Sequence, residues 1–132
     1  MIDRYTTPEM AKIWSEENKY ETWKKVEIAV TEVLTDRGDV PKESLDVIKK
    51  KAAFSVDRIL EIEKTTRHDV IAFLTNMAEN IGPDSRFIHM GMTSSDLLDT
   101  SLALLCKEAG ELIYGKVINF QKILREKAVI HR

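Results

Sequence analysis

The sequence predicts an all-α protein. Along its 132 residues, apolar side chains recur at spacings of three and four, which is the period of helices with one buried face. No stretch shows the period-two alternation of a half-buried strand, and each proline stands at the border of a helical pattern. The length suits one domain with a modest core.

Capping residues and breakers divide this pattern into six helices, after a lead-in over residues 1–5 that is expected to be extended. Thr7 and Pro8 open a short first helix, and Ser15 and Ser55 are typical N-caps of the second and the fourth. The first predicted helix follows Thr7, and the second runs from Glu16 to Arg37. The third spans residues 41–52, and the fourth follows Ser55. The fifth begins at Thr66, and the sixth runs from Ser94 to the last residue. The positions expected to face inward are Tyr20, Trp23, Val26, Ala29 or Val30, Val33, Leu34, Leu45, Val47 or Ile48, Ala52, Val56, Ile59, Leu60, Ile62, Val70 or Ile71, Phe73 or Leu74, Met77 and Ile81.

The last helix is the longest, on the order of 55 Å at 1.5 Å per residue. Its apolar seam shifts by one position half-way, as expected when a helix of 3.6 residues per turn carries a seven-residue repeat. Because the five shorter helices cannot cover it, its second half is expected to lie against another chain or against further sequence. Cys106 lies among apolar residues and is expected to be buried. The seam consists of Leu98, Leu102, Leu105, Ala109 and Leu112, and then of Ile113, Val117, Phe120 and Leu124.

The start of the last helix carries the first candidate binding site. Thr93 and Asp96 have the spacing of a capping box, and a helix start gathers unpaired N–H donors and the positive end of the helix dipole. Gly91 allows a ligand to approach closely, and the hydroxyl groups of Ser94 and Ser95 can donate further hydrogen bonds. This combination suits a phosphate or a carboxylate, but an ordinary N-cap whose serines face water has the same pattern.

A second candidate site lies at the start of the fifth helix, where Thr66 and Asp69 are also spaced as a capping box. Arg67 has the forked guanidinium that binds carboxylate or phosphate, and His68 can exchange a proton near neutral pH. A surface cap with an incidental basic pair is the alternative. Two such helix starts suggest one shared anion pocket. His89, which stands between them in sequence, could flank that pocket or form a hydrogen bond within its own loop.

Composition and charge limit the possible partners. The formal net charge is −2, with 20 basic and 22 acidic residues, so there is no electrostatic basis for binding nucleic acid or an anionic membrane. No apolar run reaches membrane-spanning length and no signal peptide is recognisable, which makes the cytoplasm the expected location. Arg4 and Tyr5 pair a planar cation with an aromatic hydroxyl, which could hold a phosphate or a base, or could simply lie on the surface.

Several segments together resemble the N-terminal part of the adenylosuccinate lyases, a branch of the fumarase/aspartase superfamily. The Arg-His-Asp-Val element at residues 67–70 separates this branch from the fumarases and the argininosuccinate lyases, whereas caps like the one at Thr93 recur across the superfamily. The matching segments, collinear along nearly the whole chain, are residues 1–5, 8–10, 59–63 and 66–70 and the motif Gly91-x-Thr93-Ser94-x-Asp96.

The resemblance implies an enzyme that eliminates fumarate from adenylosuccinate, giving AMP, and from the succinylated carboxamide ribotide of purine synthesis. It implies a homotetramer built on a long helical bundle, with each active site assembled from three subunits. It implies no metal and no organic cofactor. The partners expected from it are therefore a small nucleotide substrate and further copies of the same chain.

The resemblance also assigns roles to residues already singled out. The lead-in pair binds the nucleotide part, the start of the fifth helix forms one wall of the site, and the start of the last helix holds an anionic group of the substrate. His68 is implied as the catalytic residue, either as an acid or as a donor that orients the substrate. The implied substrate-binding residues are Arg4, Tyr5, Arg67, His68, Asp69, Thr93 and Ser94.

By the same resemblance, residues 1–92 are expected to form a helical N-terminal domain and residues 93–132 the first helix of the central bundle, truncated. The sequence lacks the family's Thr-His element, which carries a second catalytic histidine, and its mobile loop Ser-Ser-x-Met-Pro-x-Lys-x-Asn-Pro, whose serine is the candidate base. The 132 residues alone are therefore expected to have no lyase activity. Two alternatives stay open, a non-catalytic helical module that dimerises through the long helix and another lyase of the superfamily.

Overall fold

The computed structural model describes residues 2–131, and no strand occurs among them. The prediction of an all-α fold is confirmed. Two 3₁₀ segments, Asp3–Tyr5 and Pro83–Phe87, lie before the first helix and after the fifth. The α-helices are α1 (Pro8–Ile13), α2 (Glu16–Asp36), α3 (Lys42–Lys51), α4 (Val56–Thr66), α5 (Asp69–Ile81) and α6 (Ser94–Ile130).

Local capping explains most of the helix boundaries. The side chains of Thr7 and Ser15 accept hydrogen bonds from first-turn N–H groups of α1 and α2, and Pro8 occupies the first position of α1, where a missing N–H is tolerated. Gly38 follows the end of α2 with a φ of 84°, a left-handed conformation that glycine adopts without strain. These boundaries confirm the predicted ones.

The main core lies between α2, α3, α4, α5 and the first turns of α6. At its centre the Tyr20 and Phe73 rings stack with their centroids 5.7 Å apart, and the Trp23 ring meets Phe73 edge to face at 5.4 Å. Burial of such large side chains is a dominant favourable term in folding. The buried residues of this core are Tyr20, Trp23, Val26, Ile48, Ile59, Val70, Ala72, Phe73, Met77, Ile81, Ile88 and Leu97.

Most of the positions predicted to face inward are buried. In α5 the alternatives are settled, since Val70 and Phe73 enter the core and Ile71 is exposed. The prediction is wrong for Val33 and Leu60, which are exposed. Val33 lies on the wall of an open groove between α2 and α6, and Leu60 lines an open cavity on the outer side of α4, so neither side chain reaches the core.

Helix α6 is packed over only its first half. Helix α2 contacts its N-terminal part, and Ile13 of α1 packs against Leu105 and Ala109 in a second, smaller apolar cluster. Every side chain over residues 113–131 is exposed. The prediction that the shorter helices leave the second half of α6 uncovered is therefore confirmed.

In the first half of α6, the predicted seam is confirmed at Leu105 and Ala109, which are buried, and wrong at Leu102. Leu102 is exposed, and so is Cys106, which was expected to be buried. The reason is that α2 and α1 contact α6 along a row of every fourth residue, a common ridge in helix packing, and both exposed positions stand one residue beyond that row. The buried positions are Leu97, Ser101, Leu105 and Ala109.

Polar contacts fix the pairing of α4 with α5. Two guanidinium nitrogens of Arg58 lie 2.6 and 3.2 Å from the Glu79 carboxylate, and this contact holds the pKa of the Glu79 carboxyl below its ordinary value. The Asn76 side chain is buried and accepts a hydrogen bond from the Ser55 N–H at 2.8 Å. These contacts join the beginning of α4 to the end of α5, so the turn between the two helices lies at the opposite end of the pair.

Candidate active site

The turn between α4 and α5 is built differently from its prediction. Thr66 is the last residue of α4 and not the N-cap of α5, so the predicted capping box between Thr66 and Asp69 is wrong. His68 is the N-cap instead, and its ring Nδ1 accepts a hydrogen bond from the Ile71 N–H at 3.4 Å. The Thr66 hydroxyl donates to the His68 carbonyl at 3.1 Å. Because α4 continues to Thr66, only two residues remain to reverse the chain.

Arg67 makes this short turn possible. Its backbone is left-handed, with φ 53° and ψ 29°, a conformation that is uncommon outside glycine. Such a conformation costs about 1–3 kcal/mol and is enriched at functional sites. The Arg67 side chain is exposed and lines an open cavity of about 330 Å³ together with Glu63 and Lys64. The guanidinium is therefore accessible to a ligand from solvent.

His68 and Asp69 lie next to each other at the start of α5. The His68 Nδ1 atom is 3.6 Å from Asp69 Oδ1, and both side chains are nearly half exposed. The Asp69 carboxylate also accepts a hydrogen bond from the Val70 N–H at 2.7 Å. Because His68 Nδ1 acts as an acceptor, a neutral ring carries its proton on Nε2. His68 thus presents an N–H donor toward solvent beside a carboxylate.

Helix α6 begins as predicted. Thr93 and Asp96 form the capping box, and the Thr93 N–H donates to Asp96 Oδ2 at 2.8 Å. Gly91 has a φ of 76°, which turns the backbone into the cap. Thr93 is exposed and Ser94 is half-buried, so this helix start is open to an anion from solvent.

Replacing Thr93 with alanine should lower the free energy of unfolding by about 1 kcal/mol, because the first turn of α6 loses a side-chain acceptor. Urea denaturation followed by circular dichroism measures the change. The matched control is Ser95→Ala, at an exposed position of the same turn, with an expected change within about 0.5 kcal/mol. Equal stability of Thr93→Ala and the unaltered chain would show that the Thr93 hydroxyl contributes nothing to the cap.

Arg4 and Tyr5 lie in a 3₁₀ turn, so the predicted extended lead-in is wrong at this point. The Tyr5 N–H donates to the Ile2 carbonyl at 3.0 Å, which closes the turn, and the Arg4 guanidinium carbon lies 4.7 Å from the centre of the Tyr5 ring. The Tyr5 side chain is 73% exposed. Both groups are accessible, and they stack on each other.

The lead-in is attached far from the start of α6. Helix α1, which follows the lead-in, packs on the middle of α6, and Glu9 Oε1 lies 3.0 Å from Lys116 Nζ. Lys116 is about 35 Å from Thr93 along the helix axis at 1.5 Å per residue. The predicted nucleotide-binding pair and the predicted anion-binding cap therefore stand at different levels of α6.

The two candidate helix starts have no direct polar contact in the described part of the chain. Over residues 2–131, no hydrogen bond or ion pair links the His68 turn to the Thr93 cap. Their helices do enter the same core, since Val70 and Leu97 are both buried in it. Both helix starts are therefore attached to one packed core.

Sequence reasoning missed a buried pair, Glu27 and His89. The expectation that His89 forms its side-chain hydrogen bond within its own loop is wrong, because its Nδ1 lies 2.7 Å from Glu27 Oε1. Glu27 is completely buried on α2. The sequence did contain a signal, because Glu27 stands four positions after Trp23 on the apolar face of a helix. A charge in a core requires a partner.

Other candidate sites are less suited to a charged metabolite. An open groove of about 830 Å³ between α2 and α6 touches the turn at Met90–Met92, but its lining is mainly apolar. Between residues 2 and 131, no three His, Cys, Asp or Glu side chains are grouped so that they could hold a metal ion. None of the helices in that range has an apolar stretch long enough to cross a membrane.

Known proteins similar to this chain are lyases. The family described as Lyase matches residues 3–132. The adenylosuccinate lyases of Streptococcus mutans, Bacillus subtilis and Synechocystis sp. are 47%, 42% and 49% identical to it over all 132 residues. These residues are 100% of this chain and 31% of each relative. The chain therefore spans about a third of the length of these relatives and corresponds to their N-terminal portion.

A solved structure has the same fold. The fumarate lyase from Mesorhizobium sp. BNC1 superposes with a TM-score of 0.79, covering 86% of this chain and 27% of that one. At 17% sequence identity, this likeness concerns the fold alone. The family match, in contrast, covers nearly all of the sequence and confirms the resemblance inferred from the motifs. The chain belongs to the Lyase family.

Proposed function

We propose that the polypeptide carrying this chain is an adenylosuccinate lyase, which eliminates fumarate from adenylosuccinate to give AMP and from the succinylated carboxamide ribotide of purine synthesis. The observation that carries the proposal is the identity of 42–49% with three adenylosuccinate lyases over all 132 residues. The accessible turn at Arg67–Asp69 and the open cap at Thr93 support it, because the substrate brings a phosphate and two carboxylates that such groups can bind.

The reaction assigns a task to each group. A base removes a proton from the carbon beside a carboxylate, the electron pair forms the double bond of fumarate, and the C–N bond breaks toward nitrogen, which takes up a proton from an acid. His68, which presents an N–H at Nε2, is the proposed acid or the donor that orients the leaving group. Thr93 and Ser94 stabilise the carboxylate on which negative charge develops. The proposed base is the loop serine that the 132 residues lack.

We further propose that complete sites form between copies of the polypeptide, in a homotetramer with three subunits at each site. Within one copy, the lead-in pair and the Thr93 cap stand at different levels of α6. The exposed second half of α6 supplies a surface through which copies can meet. In this arrangement residues 1–92 form the N-terminal domain, and residues 93–132 form the first helix of the shared bundle.

The proposal is tested by assaying two polypeptides for AMP release from adenylosuccinate. We expect the full-length natural polypeptide to release AMP and fumarate, and the 132-residue chain to release none above the uncatalysed rate. The reason is that each missing acid–base group lowers the rate by about 10²–10⁴. AMP formation by the 132-residue chain contradicts the assignment of the base. A full-length polypeptide that cleaves argininosuccinate but not adenylosuccinate would be another lyase of the superfamily.

One observation favours a second candidate function, a non-catalytic module that dimerises through α6. The apolar side chains after Leu112 are exposed, including Val117, Phe120 and Leu124. A dimerisation module does not require the strained Arg67 turn or the serines of the Thr93 cap, which the lyase uses. A natural gene that lacks the Ser-Ser-x-Met-Pro loop would favour the module.

A further inference from the structure

Glu27 is an acidic side chain in the core, and a single residue supplies both of its hydrogen-bond partners. Its carboxylate is fully buried. Within residues 2–131, Oε2 accepts the backbone N–H of His89 at 2.8 Å, and Oε1 lies 2.7 Å from the His89 Nδ1 atom. The two residues are 62 positions apart. A buried carboxylate is stable only when it is paired in this way, so the position of His89 is tied to α2.

The pair also fixes the backbone just before α6. His89 has a left-handed φ of 60°, and its carbonyl accepts a hydrogen bond from the Met92 N–H at 3.3 Å. The Thr93 capping box follows directly. The bonds to Glu27 thus hold His89 at the point where the chain turns into the cap.

The pair selects the protonated nitrogen of the His89 ring as well. An ionised carboxylate can only accept, so with Glu27 ionised the Nδ1 atom carries the proton and Nε2 is left for other partners. The His89 side chain is 18% exposed, which leaves part of the ring accessible. His68 has the opposite arrangement, because its Nδ1 accepts from the Ile71 N–H.

We propose that Glu27 is a positioning residue, whose buried carboxylate holds His89 in the Nδ1–H form and fixes the turn over residues 88–92 that places the Thr93 cap. Any effect of Glu27 on catalysis by way of the cap rests on the proposed function. The effect on the ring and on the turn depends on the Glu27–His89 pair alone and can be measured without substrate.

The decisive variant is Glu27→Gln. A glutamine side chain has one acceptor and one donor end, so it cannot accept from both groups of His89. If its oxygen accepts the backbone N–H, its NH₂ faces Nδ1, and the ring proton must move to Nε2. We expect ¹⁵N NMR of the histidine rings to show Nδ1 protonated in the unaltered chain and Nε2 protonated in Glu27→Gln. Identical His89 signals in both proteins would overturn the proposal.

Matched controls separate this effect from a general loss of charge. Glu32→Gln removes the same charge from α2 at a partly exposed position paired with Lys49 at 2.6 Å, and it should leave the His89 signals unchanged. The signals of His68 and His131 serve as internal references in each spectrum. A change of His89 in both variants would assign the effect to charge and overturn the proposal.

A second pair of variants tests the turn if Glu27→Gln does not fold. His89→Ala leaves the carboxylate with the backbone donor only, and it should displace the amide signals of residues 91–94. His89→Asn supplies a side-chain NH₂ in place of Nδ1–H and tolerates a left-handed backbone, so it should keep those signals near their original positions. Unchanged amide signals in His89→Ala would overturn the proposed control of the turn.

The link to catalysis has a separate readout. In the full-length polypeptide we expect Glu27→Gln to lower kcat/KM by about 10- to 100-fold, the scale known for lost partners of metal-ligating histidines, and Glu32→Gln to leave it unchanged. Unchanged kcat/KM together with a moved ring proton would reduce Glu27 to a structural role. An inactive unaltered polypeptide would contradict the proposed function instead, and the NMR result would then decide on the pair by itself.

Discussion

Replacing His68 with alanine in the full-length polypeptide is expected to lower kcat for fumarate elimination by about 10²–10⁴, the usual contribution of a positioned acid or base. The physical reason is the geometry of the ring. The Ile71 N–H occupies Nδ1, so the proton of a neutral ring is on Nε2, at a side chain that is nearly half exposed. Alanine removes that donor, and no other described side chain of the turn can replace it at the same place.

Because His68 is also the N-cap of α5, its structural role must be separated from its chemical role. His68→Asn provides this separation, since asparagine is among the best N-caps but does not transfer protons. We expect His68→Asn to retain the thermal stability that His68→Ala loses, while both variants lose activity. His131→Ala, at an exposed position after α6, is the control. Full activity in His68→Asn, or unchanged turnover in His68→Ala, would contradict the proposed catalytic role of His68.

The helix boundaries show what local sequence can predict. Thr7, Ser15 and Gly38 act within one turn of their own position, so their effects are readable without the rest of the chain. The two Thr-x-x-Asp patterns show the limit. The box at Thr93 follows a glycine turn and forms, whereas the one at Thr66 follows a continuous helical pattern, and α4 extends through it. A local motif cannot tell whether the preceding helix has already ended.

Which apolar side chains of α6 are buried depends on the helices that pack against them, and the sequence pattern does not identify those helices. Leu102 and Cys106 stand in an apolar pattern, yet they are exposed because α1 and α2 meet α6 along a different row of side chains. The polar groups likewise include some that the sequence predicts and some that it does not. The chemistry of Arg67 and His68 followed from residue type, but the pairing of Glu27 with His89 joins residues 62 positions apart and depends on the packing of α2 against the turn before α6.

The second half of α6 leads to the other large effect that we expect. The side chains of Phe120 and Leu124 are 60% and 51% exposed, and with Val117 they form one stripe at spacings of three and four. Exposed apolar stripes of this kind are typical of interfaces. We therefore expect the 132-residue chain to self-associate in sedimentation velocity at micromolar concentrations, and the double variant Phe120→Glu, Leu124→Glu to sediment as a monomer, because two carboxylates would be buried without partners.

The matched control is the double variant Asn119→Glu, Lys122→Gln, which changes the net charge by the same amount on the opposite face of α6 and should leave the association intact. A monomeric unaltered chain, or association of equal strength in both double variants, would contradict an interface along the stripe. The proposed homotetramer couples the stripe to the active site, because in that proposal complete sites form only between copies. If sites form between copies, Phe120→Glu, Leu124→Glu must abolish elimination together with assembly. An active monomer would mean that a single copy holds a complete site.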